Sequence, residues 1–176
     1  MPIKNTIWKV GQIPVVLESC KLPSEKALED MIVHSPTILS NDWMLIGRQE
    51  HTGHGGIIDL LAIAPDGSLV LIELKRDRTP REVLAQALDY ASWLENLESD
   101  KIAQIYQRFS QGGKLDGAFR TRFGEELDEE NLNQAHQIVI VAAQLDDSTE
   151  RIINYLSARE IPINVVFFQV FKHGQD

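Results

Sequence analysis

Residues 56–75 have the sequence GIIDLLAIAPDGSLVLIELK, and this stretch decides the fold. Its two halves are rich in Ile, Leu and Val, and each is short enough for a buried strand. Pro65-Asp66-Gly67 separates them and favours a turn, because Pro fixes one backbone angle and Gly tolerates the left-handed conformation. The stretch therefore predicts a β-hairpin.

The length of the loop sets the register of this hairpin. Its three turn residues suit a type I turn that Gly closes in the left-handed conformation. Ala64 then pairs with Ser68, and counting back along both strands places Asp59 opposite Glu73. Side chains alternate along a strand, so Lys75 lies on the same face as Glu73. The hairpin is therefore expected to bring two carboxylates and one amine together.

Opposed carboxylates repel each other, so Asp59 and Glu73 need a positive charge between them. A hard divalent cation such as Mg²⁺ accepts oxygen ligands of this kind, and the backbone carbonyl of Leu74 is a further candidate ligand. Lys75 alone is the rival counter-ion, in which case the group is a structural salt bridge. The hairpin leaves both interpretations open.

Composition restricts the class of protein. The 176 residues are 43% hydrophobic and 24% charged, as in an ordinary soluble domain, and no apolar run approaches a membrane span. No signal-peptide pattern opens the chain, and the single Cys20 agrees with a reducing compartment, so we expect a cytoplasmic protein without a membrane partner.

The charge distribution limits how the chain contacts other molecules. A net charge of −9 argues against a broad basic face that grips nucleic acid. A local cluster of Arg76, Arg78 and Arg81 follows the hairpin, however, and is the candidate phosphate-binding patch. The alternative for this cluster is a solvated loop and helix start.

The segment before the hairpin contains an N-terminal part and a first helix. Residues 1–22 are interpreted as an extension or edge hairpin, and a helix begins after Ser24 and ends at Ser35-Pro36. Glu29 lies at the margin of the apolar stripe of this helix. Its position alone favours an exposed helical acid, and the functional alternative is a further carboxylate aimed at the site.

The loop before the hairpin contains His51 and His54. Two histidines are too few for a zinc site, and no Cys or third His is near, so a mobile loop at the site entrance is the favoured interpretation.

A second helix is predicted after the hairpin. Thr79-Pro80-Arg81-Glu82 has the pattern of a capping box, and the helix is expected to run to about Leu97. Gln86 and Tyr90 share one flank of it. Either they pack at the helix border, or Gln86 orients water or phosphate while the Tyr90 hydroxyl holds Lys75.

The remaining pattern predicts a mixed α/β sheet flanked by helices. A helical and polar insertion covers about residues 98–136, followed by a strand at 137–143, a helix after Asp147 and a last strand at 161–171. The domain is assigned to residues 23–176, and a strand so near the end suggests the N-terminal part of a longer protein.

Four sequence elements together resemble the PD-(D/E)xK nuclease superfamily, whose fold is restriction-endonuclease-like with the core order αβββαβ. They are Glu29 on the first helix, Asp59, the acid-x-Lys pair Glu73 and Lys75, and a Gln-x-x-x-Tyr pair on the next helix, Gln86 and Tyr90. The pattern is most similar to the RecB-like and NucS-like branches and covers Ser24 to about Ala143. Ile58 replaces the family's Pro, which removes no ligand.

The resemblance implies a metal-dependent nuclease that hydrolyses phosphodiester bonds of DNA, such as an endonuclease of repair or defence. Asp59 and Glu73 are then ligands of Mg²⁺ or Mn²⁺, Glu29 contributes directly or through water, and Lys75 positions or deprotonates the attacking water. Gln86 and Tyr90 are supporting residues. The alternatives are a non-cleaving nucleic-acid-binding module and a structural or protein-interaction domain, and a homodimer is one open state of assembly.

Overall fold

The computed structural model describes residues 6–53 and 55–172. Groups of consecutive strands and groups of consecutive helices follow one another along this part of the chain. In chain order they are β1 (Ile7–Lys9), β2 (Val15–Cys20), α1 (Glu25–His34), a 3₁₀ helix (Pro36–Ile38), β3 (Met44–His51), β4 (Ile57–Ile63), β5 (Leu69–Thr79), α2 (Glu82–Leu94), α3 (Ser99–Phe109), α4 (Leu115–Phe123), β6 (His136–Leu145), α5 (Asp147–Ser157), β7 (Ile163–Phe167) and β8 (Val170–Lys172).

The central sheet has five strands in the order β3-β4-β5-β6-β7. β3, β4 and β5 are antiparallel neighbours, whereas β5, β6 and β7 run parallel. Helix α2 and the insertion connect β5 to β6, as parallel neighbours require a crossover. The predicted fold class, a mixed sheet in the order αβββαβ with a helical insertion, is confirmed.

The hairpin has the predicted register. Leu60 pairs with Ile72 and Ile63 with Leu69. The loop closes as expected, because the Ala64 N–H donates to the Ser68 carbonyl at 2.9 Å and Gly67 has a φ of 83°. Only Gly adopts this left-handed angle at little cost. At the end away from the turn, the regular ladder stops at the Leu60–Ile72 pair, and Asp59 and Glu73 are the next residues beyond it.

Helices cover both faces of the sheet. On one face, α2, α3, α4 and α5 bury apolar side chains such as Leu94, Ile102 and Phe119 against the strands. On the other, α1 buries Leu28 and Ile32. Burial of apolar surface on both faces is the main stabilising contribution, and it fixes the ends of β4 and β5 in place.

Two predicted boundaries differ in the structure. The predicted capping box is wrong, because Thr79 is the last residue of β5 and Arg81 occupies the N-cap position without a side-chain hydrogen bond. Helix α2 ends at Leu94 and not at about Leu97. The last predicted strand is divided into β7 and β8, which belong to different sheets. In both cases strand pairing across the molecule prevails over the local pattern.

A second sheet lies beside the core. β2 pairs antiparallel with β1 on one side and with β8 on the other. The N-terminal segment therefore forms the predicted strand pair, and it is joined to the C-terminal part of the chain. The boundary at residue 22 stays a prediction, and residues 1–5 and 173–176 lie outside the described residues. Within the described part, no helix has the length and apolar character needed to cross a bilayer.

Candidate active site

Asp59, Glu73 and Lys75 come together where β4 and β5 separate. Lys75 Nζ donates to Glu73 Oε1 at 2.9 Å. Asp59 Oδ2 accepts a hydrogen bond of 2.8 Å from the backbone N–H of Leu74, the residue between the other two. Asp59 therefore closes the gap between the strands directly beside the acid-x-Lys pair. The structure brings together the three residues that the register predicts.

Burial and mutual charge change the protonation of this group. The side chain of Glu73 is only 1% exposed, and burial together with the Asp59 charge raises its pKa to about 7. Burial also raises the pKa of Asp59, against the opposing effects of the Leu74 N–H and of Lys75. Burial alone would lower the pKa of Lys75, but the Glu73 and Asp59 carboxylates raise it above its ordinary value. The Lys75 ammonium therefore does not fully offset the negative charge of the two carboxylates.

The donor set fits a hard divalent cation. Glu73 Oε2 is buried and has no hydrogen-bond partner, although buried carboxylate oxygens are normally satisfied. Carboxylate oxygens are the ligands that Mg²⁺ prefers, and it usually takes one or two of them. No three His, Cys, Asp or Glu side chains converge on one point anywhere in residues 6–53 and 55–172. A cation here therefore depends on the pair Asp59 and Glu73.

Glu29 is not the exposed helical acid that its position favoured. It is 7% exposed, because α1 packs on the sheet and turns this side chain inward beside Leu28. Its oxygens accept hydrogen bonds from Arg48 Nε and, at 2.7 Å, from Gln49 Nε2. Glu29 thus lies near Asp59 but is separated from it by the Gln49 amide. Its role as a metal ligand stays a prediction.

Gln49 is the residue of the site that sequence reasoning missed. Its Nε2 donates to Asp59 Oδ1 at 3.2 Å as well as to Glu29. Its backbone φ is 51°, which is unusual for a residue inside a strand. No local signal in the sequence marks this residue, because a Gln is ordinary in a strand that contains both apolar and polar residues. Only the pairing of β3 with β4 brings it to the acids.

Gln86 and Tyr90 lie on α2 and contact each other. Gln86 Nε2 donates to the Tyr90 hydroxyl at 2.8 Å, and that hydroxyl also accepts from the Ile57 N–H at 3.2 Å. Lys75 has its hydrogen bond with Glu73 instead. The interpretation that Tyr90 holds Lys75 is therefore wrong. The pair fixes the start of β4, and with it the approach to Asp59.

The predicted basic patch is partly engaged within the protein. Arg76 binds the Asp77 carboxylate at 2.6 Å and the Pro23 carbonyl at 2.7 Å. Arg78 and Arg81 are mostly exposed, with acidic neighbours at 3.9 Å and 3.4 Å respectively. These two side chains are the ones free to reach a phosphate. Of the histidine pair, His51 is exposed at the end of β3, and His54 lies outside the described residues.

The fold and the arrangement of these residues resemble those of the PD-(D/E)xK nucleases. Residues 24–109 match the family described as the Endonuclease NucS C-terminal domain. The Endonuclease NucS of Pyrococcus furiosus is 27% identical over 82 residues, and that of Thermococcus kodakarensis is 29% identical over the same length. These matches confirm the predicted resemblance to the NucS-like branch.

The similar region is only part of the relatives. It covers 47% of this chain but 30% of the P. furiosus protein and 32% of the T. kodakarensis protein. Two solved structures share the fold: a repair endonuclease from Pyrococcus abyssi and EndoMS in a complex with double-stranded DNA. Each has a TM-score of 0.50 over 93% of this chain, at 13% and 14% identity, and this chain covers 65% and 64% of them.

Proposed function

We propose that this chain is a metal-dependent nuclease that hydrolyses phosphodiester bonds of DNA as an endonuclease. The observation that carries the proposal is the group Asp59, Glu73 and Lys75, in which a buried oxygen of Glu73 lacks any partner. The names of the relatives, which are endonucleases, and the DNA complex of EndoMS support the choice of reaction and substrate.

Asp59 and Glu73 are the residues that would hold Mg²⁺ or Mn²⁺, with the Leu74 carbonyl as a further candidate ligand. A bound divalent cation supplies Lewis-acid stabilisation of the charge that grows on the phosphate. Glu29 acts on this pair through the Gln49 amide rather than by contact. Among the described residues, Glu73 Oε2 is the one buried carboxylate oxygen without a hydrogen-bond partner, and this assignment uses it.

Lys75 supplies the hydrogen-bond donor of the site. Its raised pKa keeps the ammonium group charged at neutral pH, so it orients a water or a phosphate oxygen instead of removing a proton. Its side chain is 23% exposed, which leaves the amine within reach of solvent and substrate. Arg78 and Arg81 lie further along the chain and contact the DNA backbone outside the reacting phosphate.

The test is cleavage of single-stranded, duplex, mismatched and branched DNA with Mg²⁺ or Mn²⁺, followed by electrophoresis. Asp59→Asn and Lys75→Ala should each lower the rate by about 10²-fold or more. The matched controls are Asp116→Asn and Lys101→Ala, which change exposed residues of α4 and α3 and should cut like wild type.

Two outcomes contradict the proposal. One is the absence of cleavage on every substrate, and the other is cleavage that survives both site variants. DNA binding without hydrolysis that is unchanged by Glu73→Gln would favour the non-cleaving module instead.

A further inference from the structure

Gln49 has an unusual backbone for its place in the sheet. Its neighbours Arg48 and Glu50 pair regularly with Leu60 and Ile58 of β4. Gln49 itself, opposite Asp59, has a φ of 51° in the left-handed region. A side chain with a Cβ disfavours this region, and residues held there in spite of the cost cluster at functional sites. The strain falls on the residue that faces the predicted ligand.

The side chain of Gln49 joins two acids from different elements. Its amide nitrogen lies 2.7 Å from Glu29 Oε2 on α1 and 3.2 Å from Asp59 Oδ1 on β4. An amide NH₂ group carries two hydrogens, so both bonds can form at once. Both acceptors are carboxylate oxygens, which sets the orientation of the amide, since only its nitrogen end can donate.

The Gln49 bonds belong to a longer chain of contacts. The other oxygen of Glu29 accepts from Arg48 Nε, and the other oxygen of Asp59 accepts from the Leu74 N–H. Each carboxylate is therefore held on both oxygens, which fixes its rotation. Asp59 in particular is clamped between a side chain of β3 and the backbone of β5.

We propose that Gln49 is a positioning residue that holds the Asp59 carboxylate in the orientation needed for cation binding. This inference rests on the proposed function. A purely structural role is the weaker explanation, because α1 is already tied to the sheet by Leu28, Ile32 and the Arg48 ion pairs with Glu29 and Asp30. Gln49 is also exposed, so its side chain fills no core space.

The test distinguishes the effect of the strained Gln49 backbone from the effect of its side-chain amide. Gln49→Gly removes the amide and relieves the left-handed strain, and Gln111→Gly makes the same change at an exposed loop Gln with a φ of 57°. We expect both variants to melt cooperatively near or above the wild-type Tm. Only Gln49→Gly should bind Mn²⁺ more weakly in isothermal titration calorimetry, by about 10-fold or more, as for other groups that orient a metal ligand.

A second substitution keeps the test informative if Gln49→Gly does not fold. Gln49→Asn keeps an amide and tolerates the left-handed backbone, but it is one methylene too short to reach both acids. It should lose Mn²⁺ affinity like Gln49→Gly. In cleavage assays, both variants should need a correspondingly higher Mn²⁺ concentration for the half-maximal rate.

The outcomes distinguish this inference from the proposed function. Wild-type Mn²⁺ affinity in Gln49→Gly or in Gln49→Asn overturns the positioning role while the nuclease proposal stands. If the wild-type chain and Asp59→Asn take up Mn²⁺ equally, or neither takes it up, both are overturned. Weaker affinity in the Gln49 variants but not in Gln111→Gly supports the inference.

Discussion

Glu73 is the residue whose environment is least favourable to its charge. It lies on β5, a central strand of the sheet, one oxygen is bound by Lys75, and the other has no partner. A buried carboxylate without full compensation lowers the stability of the folded state. A protein retains a destabilising carboxylate of this kind where it has a function. For Glu73 the proposed function is the binding of a cation.

The pH dependence of stability should show this cost. Folding raises the pKa of Glu73 from 4.5 to about 7, so the folded state holds the proton more tightly than the unfolded state. Its contribution to stability is present at low pH and is lost as pH rises from about 4.5 to about 7. Glu73→Gln, which stays neutral, should therefore raise Tm at about pH 8 by roughly 5 °C and have little effect at about pH 5.

Thermal melting followed by circular dichroism, without divalent cations, measures this difference. Glu129→Gln is the matched control, since it neutralises an exposed acid, and its melting curve should follow wild type at both pH values. A Glu73→Gln variant that is less stable than wild type at the higher pH would contradict the account of the site.

At the scale of elements, α2 packs closely against the start of β4, because the Tyr90 ring lies directly against the backbone of Gly56. A Cβ added at Gly56 would lie 2.2 Å from Tyr90 Cε1 and 2.9 Å from Thr52 Oγ1. Tyr90 is buried in the core and its hydroxyl accepts the Ile57 N–H, so the ring cannot move away freely. Only Gly allows the chain to pass here before it reaches Asp59.

Gly56→Ala should therefore destabilise the protein by about 1–3 kcal/mol, as overpacking of a close contact does. Chemical denaturation measures the loss. The control is Gly117→Ala in α4, where an added Cβ meets no atom within 4 Å and should stabilise by up to about 1 kcal/mol through helix propensity. Equal stabilities of Gly56→Ala and wild type would show that Tyr90 does not hold β4.

Elements were predictable from the sequence where local chemistry determines them. The turn at Pro65 to Gly67 fixes its own register, and the Ser24 hydroxyl accepts from the Ala27 N–H at 3.0 Å, as expected for an N-cap. The predicted cap at Thr79 failed because β5 continues beside β6, with Thr79 paired to Leu145. Parallel pairing of distant segments is not visible in a short pattern.

Only part of the site was predictable from the sequence, namely the part that the local chemistry of one hairpin determines. Asp59, Glu73 and Lys75 follow from counting along one hairpin. The inward position of Glu29 and the bridge made by Gln49 depend on how α1 and β3 pack on that hairpin. Such contacts between elements carry no local signature, so sequence reasoning placed Glu29 at the surface and passed over Gln49.

At the scale of the whole molecule, helices cover both faces of the sheet, and the candidate site lies where β4 and β5 separate. The insertion was predicted to be helical and polar, and its helix α4 also buries Phe119 and Leu115 in the main core. The N-terminal strands join the end of the chain in a second sheet. The fold thus supports β4 and β5 from several directions, as the proposed cation site requires.

The central claim is that Asp59 and Glu73 share one divalent cation beside Lys75. The most direct measurement is the anomalous difference density of a crystal soaked in Mn²⁺. We expect one strong peak between the two carboxylates, with oxygen ligands at roughly the 2.0–2.1 Å typical of small hard cations. The absence of a peak at saturating Mn²⁺, or a peak that contacts neither carboxylate, would contradict it.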